Sequence, residues 1–248
     1  MPWQAVDTIP INVGADVAPA RASAIRDALL RRAVPLSRLV DGRIEPLATA
    51  SLVVDGSEGA VLTAAHIFEK ASVGDLVIPL PRDQCLMPLR STRVRVVTHP
   101  HLDIALLWFV ERAASERLRA NWSACSLRQW CDTSLAPASL YAIAGYPAIN
   151  ARRSDGCVYV KPVVLFTAPL DERRYVYARV ARRIDGLDIH TPALDGVSGA
   201  TVWSVEHDGS DDVACLLRPA AIQVAFHHGR HVRCEPIDGA AHLLARRH

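Results

Sequence analysis

Three short stretches carry side chains that can act together as an acyl-transfer centre: Leu62-Thr63-Ala64-Ala65-His66, then Asp103-Ile104-Ala105-Leu106, then Gly196-Val197-Ser198-Gly199-Ala200. A serine hydroxyl is a poor nucleophile at neutral pH. It needs an imidazole to take its proton, and that imidazole needs a carboxylate to hold its tautomer and orientation. His66, Asp103 and Ser198 are of the right types for those three roles. His66 closes an apolar run, Ala60 to Ala64, where a turn of small residues pushes a ring toward a cleft. Asp103 stands at the start of a strongly apolar run ending at Phe109, where a carboxylate needs a partner to be tolerated. Gly196 and Gly199 bracket Ser198 and suit a tight turn, which by itself is weak support for a nucleophile.

The chain order separates the known arrangements. Histidine, aspartate, serine is the order of the chymotrypsin-like double β-barrel, whereas α/β-hydrolases run Ser, Asp, His and subtilisins run Asp, His, Ser. On these motifs the sequence resembles the trypsin/chymotrypsin-like serine peptidases. The resemblance implies an all-β fold of two packed six-stranded antiparallel β-barrels, with an N-terminal and a C-terminal helix. It implies that Ser198 attacks a carbonyl, His66 moves the proton, Asp103 orients His66, and the amides of Gly196 and Ser198 form an oxyanion hole. It places Pro192 and Ala193 in one wall of a substrate pocket, and the strand containing Gln223, Val224 and Ala225 in the other, with the register left open.

Two departures from that pattern bear on regulation and specificity. Trypsin-like zymogens carry an aspartate directly before the nucleophile, which pairs with a newly cut amino terminus; here the position is Val197. Trypsin carries an aspartate six residues before the serine; here that position is Pro192. Both point to an enzyme that needs no activating cut and prefers an uncharged residue before the scissile bond. Asp195 fits a turn carboxylate at least as well as a substrate contact.

The elements that must position these groups are legible as many short strands separated by turns, which favour barrels over a βαβ sheet. Residues 1–45 read as an irregular arm followed by a helix from Arg21 to Ala33. Residues 46–125 read as the first barrel, with a hairpin from Leu47 to Ala64 and further strands at 75–79, 92–98 and 103–109. Residues 126–248 read as the second barrel and a terminal helix from Ile237 to Arg247. A Glu-, Arg-, Ala- and Ser-rich stretch, 111–135, reads as the helix or loop between them.

Composition is that of a soluble globular chain: 248 residues, half of them hydrophobic and 22% charged, with 28 basic against 26 acidic residues. No long basic run suggests nucleic acid, and no apolar stretch approaches membrane-spanning length. The start lacks a basic leader and an apolar core, so it does not read as a secretory signal. Six cysteines stand at 85, 125, 131, 157, 215 and 234, but Ile67 rather than cysteine follows His66. They are expected as free thiols in a cytoplasmic, bacterial-type member of the family. The run His227-His228-Gly229-Arg230-His231 with Cys234 fits no standard zinc spacing, so neither a metal nor another cofactor is expected. His101 reads as a loop residue, and His190 as either surface or cleft. The expected partner is a protein or peptide substrate. The activity expected is that of a serine endopeptidase, including a dedicated processing or defence-associated one. The alternative is a catalytically inactive or partner-gated binding module with the same fold, an activating protein partner belonging to the gated case.

Overall fold

The computed structural model describes residues 3–5, 9–13, 17, 19–126, 138, 140–148, 151–154, 157–167, 178–179, 183–184, 187–188, 195–207, 215–227 and 231–245. Two curled sheets dominate. The first runs in the order Cys85–Pro88, Leu76–Leu80, Ala33–Val40, Arg43–Asp55, Glu58–Thr63, Ala105–Phe109, Val94–Thr98, with every neighbour on this path antiparallel. The second runs Ala178–Arg179, His231–Pro236, Cys215–His227, Thr201–His207, Tyr141–Gly145, Val163–Thr167, Ile9–Val13. Each is a six-stranded antiparallel body with additions. Cys85–Pro88 and the two-residue strand Cys125–Ser126, parallel to Val53 and Val54, extend the first. Ile9–Val13, parallel to Val163–Thr167, extends the second. The arm expected to be irregular therefore contributes this strand and another, Trp3–Ala5, which pairs in parallel with Cys157–Val160.

The first sheet begins earlier than the expected boundary at residue 46. Ala33–Val40 is a strand, and the preceding helix spans Pro19–Leu30. A hairpin joins this strand to Arg43–Asp55 through Asp41 and Gly42, both at positive φ (48° and 73°). That is the pairing of dihedrals that matches the twist of two antiparallel strands. Ala33 to Ser37 is buried without alternation, so the period-2 signature that marks a half-exposed strand is missing.

Glu58–Thr63 and Ala105–Phe109 are apolar almost throughout because both faces are covered. The helix Arg112–Asn121 lies on one side, and a Cβ at Gly59 would come within 3.0 Å of Ser115 Oγ. In the second sheet the alternation is clean. Tyr141 and Ile143 enter one apolar cluster, shared with Val163, Leu165, Val197 and Val202, while Ala142 and Ala144 enter the larger cluster centred on the first sheet. The terminal helix Asp238–Ala245 packs back on the first sheet: a Cβ at Gly239 would sit 2.4 Å from Leu102 Cδ1. No helix among the described residues is long and apolar enough to cross a membrane. Cys85, Cys125 and Cys234 are in no disulfide. Cys131 lies outside the described residues, as do His190 and 228–230.

Candidate active site

His66 and Asp103 come from the ends of two neighbouring strands. Thr63 pairs with Ala105 in an antiparallel ladder, so the chain leaving at Thr63 and the chain arriving at Ala105 meet at one edge of the sheet. His66 lies three residues beyond the first strand, at the start of the short helix Ile67–Lys70. Asp103 lies two residues before the second. Its Oδ1 accepts the His66 backbone N–H at 2.8 Å, and its Oδ2 lies 2.6 Å from His66 Nδ1. The Ala65 N–H also reaches the Asp103 backbone carbonyl at 3.3 Å. A carboxylate can only accept, so Nδ1 carries the proton and Nε2 is left with its lone pair toward the cleft. Partial burial raises the Asp103 pKa, but the hydrogen bonds from the His66 ring and backbone and from Ala65, with the attraction of His66, outweigh it. The carboxyl is held below its ordinary value.

The Ser198 turn is built by the second sheet and clamped to the first. Gly196 and Gly199 have φ of 94° and 90°, which side chains with a Cβ disfavour. At Gly199 the space is closed as well: a Cβ there would lie 2.2 Å from both Thr49 O and Thr63 Oγ1, and 2.9 Å from Ala64 N. This contact sets the residue after Ser198 against the chain that leads to His66. Thr49 then makes three bonds across the interface. Its N–H donates to Ser198 O at 2.9 Å, its hydroxyl donates to Gly196 O at 2.8 Å, and the same oxygen accepts the Tyr146 N–H at 3.0 Å. Its own carbonyl is held by Thr63 Oγ1 at 3.0 Å. Thr49 was not singled out in the sequence, where it is one threonine in an apolar strand with no motif around it.

Gly196 also shows the geometry of an anion-binding turn. The Ala148 N–H donates to Asp195 O at 2.6 Å, which fixes the peptide between Asp195 and Gly196. In a trans peptide the N–H points opposite to the carbonyl, so the Gly196 N–H faces away from Ala148. Neither this amide nor that of Ser198 has an acceptor among the described residues. Val197 between them is fully buried in the second apolar cluster, against the space at Gly145. Packing thus holds the turn at the position where zymogens use an ion pair. The buried Tyr146, whose phenol is pushed up by burial, packs beside it.

Of the expected pocket residues, Pro192 and Ala193 lie outside the described residues. Gln223, Val224 and Ala225 lie on Cys215–His227, next to the turn: the Gly199 N–H donates to Gln223 O at 2.7 Å. Pairing with His231–Pro236 is irregular between Gln223 and Ala225, and pairing with Thr201–His207 ends at Ile222. The skipped residue, Val224, turns its carbonyl to the Ser198 hydroxyl, which donates to it at 3.4 Å. Among the described residues Ser198 Oγ makes this long bond and none to His66. Gln223 is 1% exposed and its Oε1 has no hydrogen-bond partner.

No protein-family model matches the chain, and no curated protein does. Solved structures do. An inactivated protease paralogue of the scabies mite superposes with a TM-score of 0.52 over 94% of this chain and 97% of that one, at 10% identity. The chain has the chymotrypsin-like double-barrel fold. A serine protease of a human pathogenic astrovirus is also similar, at 14% identity, 91% and 94% coverage, and a TM-score of 0.45. Chymotrypsin-like architecture explains why the two sheets meet at Thr49, Gly199 and Ala64. His66 and Asp103 from the first sheet and Ser198 from the second lie on either side of that contact.

Proposed function

We propose that the chain is a serine endopeptidase. In this reading Ser198 Oγ bonds to the carbonyl carbon of a peptide while its proton passes to His66 Nε2. The C–N bond then breaks as that proton is delivered to the leaving amine, and water repeats the sequence to release the acid. Gly196 and Ser198 N–H groups meet the developing oxyanion, which in a site shielded from water is a large contribution to rate. The observation that supports it most is the doubly bonded His66 and Asp103 pair, together with a turn in which the amides of Gly196 and Ser198 have no acceptor among the described residues. On the side of Thr201–His207, Ala225 and Phe226 pair with no strand among the described residues, which suits an extended substrate backbone.

One observation favours a second reading, a partner-gated or inactive module: Ser198 Oγ is turned to Val224 O rather than to His66. Hydrogen bonds between a nucleophile and its base commonly form only with substrate in place. The experiment is labelling of the purified chain by a fluorophosphonate together with cleavage-site profiling on a peptide library. Labelling and cleavage that vanish in Ser198→Ala support the endopeptidase. A folded wild type that neither labels nor cleaves refutes it in favour of the gated or inactive module.

A further inference from the structure

The carboxylate that orients His66 sits in a loop with an unusual internal acceptor. Thr98 pairs with Ala105, and His99 N–H donates to Ile104 O at 2.9 Å, closing a loop over residues 99 to 104. Within it, Pro100 has no N–H to give, and Ile104 N–H turns back to Leu102 O at 2.8 Å. The N–H groups of His101 and Leu102 both point at one atom, Nδ1 of His99, at 3.1 and 3.0 Å. An imidazole nitrogen accepts only when it carries no proton. The loop in this form therefore requires His99 as the neutral tautomer protonated on Nε2.

We infer that His99 is a positioning residue for Asp103, holding the carboxylate against His66 only while its own imidazole is neutral. The inference rests on the endopeptidase reading for its effect on rate, and on geometry alone for its effect on Asp103. Its chemistry is that of an asparagine or aspartate turn, in which a side-chain oxygen takes the N–H two residues on; the histidine does the same with a ring nitrogen that can also take up a proton. A protonated His99 turns a third donor toward two donors, so the loop must reopen. Asp103 follows Leu102 directly, and the bond from Asp103 O to Ala65 and the two from its carboxylate to His66 all depend on where the loop ends.

Among the described residues, two further imidazoles stand beside the ring. His242, from the helix Asp238–Ala245, stands edge-on at 5.3 Å between centroids, and His101 at 6.3 Å in the same arrangement. Cations on either would oppose a charge on His99, and the Asp103 carboxylate on the same loop would favour it. The helix also fixes Leu102 and Ile104 against Gly239, so the loop cannot relax sideways without moving the C-terminal helix.

The test uses the full chain with His99→Asn and His99→Ala. Asparagine supplies an acceptor oxygen near the place of Nδ1 and does not titrate; alanine supplies none. Two measurements are made: the pH dependence of fluorophosphonate labelling, and the downfield proton resonance of the His66 Nδ1–H that bonds to Asp103. In wild type the acid limb of log rate against pH is expected to steepen toward a slope of two, because His66 and His99 must both be neutral. In His99→Asn it is expected to return to a slope of one, with the rate at neutral pH retained. His99→Ala is expected to lose the resonance and to label at least about tenfold more slowly. An acid limb in His99→Asn identical to that of wild type would overturn the inference, as would a His99→Ala protein that keeps both rate and resonance. Should His99→Ala fail to fold, the comparison of wild type with His99→Asn decides alone. A wild type that shows the resonance but never labels refutes the endopeptidase, while loss of the resonance in His99→Ala and its retention in His99→Asn still establish the positioning role.

Discussion

Replacing Thr49 by valine removes one oxygen from the place where the two barrels grip the nucleophile turn. That oxygen donates to Gly196 O at 2.8 Å and accepts from Tyr146 N–H at 3.0 Å; Thr49 is fully buried and Tyr146 is 2% exposed, so water cannot replace it. A buried polar group left unsatisfied costs about 1–3 kcal/mol, and two are orphaned, so Thr49→Val should lose roughly 2–6 kcal/mol. Thr49→Ser keeps the oxygen and deletes one methyl, a change worth about 1 kcal/mol. Both variants retain the backbone bonds from Thr49 N–H to Ser198 O and from Thr63 Oγ1 to Thr49 O. Urea unfolding followed by tryptophan fluorescence measures the difference. Fluorophosphonate labelling at a denaturant-free, fully folded condition should show a further loss in Thr49→Val, because a released Gly196 carbonyl loosens the Gly196–Val197 peptide, which lies between the two amides proposed to meet the oxyanion. If the two variants agree in stability within about 0.5 kcal/mol, Thr49 contributes only as a packed residue and the argument fails.

Gly199→Ala should yield no soluble, cooperatively folding protein, since φ is 90° and the new Cβ would overlap Thr49 O; a circular dichroism melt like that of wild type would contradict this. Asp103 has a folded pKa below its ordinary 3.8, so it adds stability above that pH, and the gain is lost as pH falls through the folded value. Asp103→Asn should therefore be less stable than wild type near neutrality and approach it in acid, and a stability difference independent of pH would contradict the assignment. The uncut chain should label without prior proteolysis, because the buried Val197 holds the turn by packing; labelling that appears only after a cut near the start would refute that. Alkylation without reductant should modify all six cysteines, whereas three intact bridges would contradict the free-thiol expectation.

Residue chemistry and local periodicity single out His66, Asp103, Ser198 and Gly196 as candidates, because acyl transfer demands particular side chains and a tight turn demands glycine, and both are written in consecutive residues. The hairpin ending at His66, the apolar strand after Asp103 and the terminal helix were legible for the same reason. The strand Ala33–Val40 leaves only its turn, Asp41-Gly42, as a signal in the sequence, because a strand buried on both faces has no alternation. Ile9–Val13 could not be read at all: a parallel partner more than a hundred residues away leaves no trace in the arm itself. Tertiary structure alone decided that Thr49, 147 positions from Gly196, ties the two barrels at the Ser198 turn. It also decided that His99 takes two backbone amides beneath Asp103. A hydrogen bond depends on where donors and acceptors meet in space, and a threonine or histidine in the sequence carries the capacity for such a bond without stating its partner.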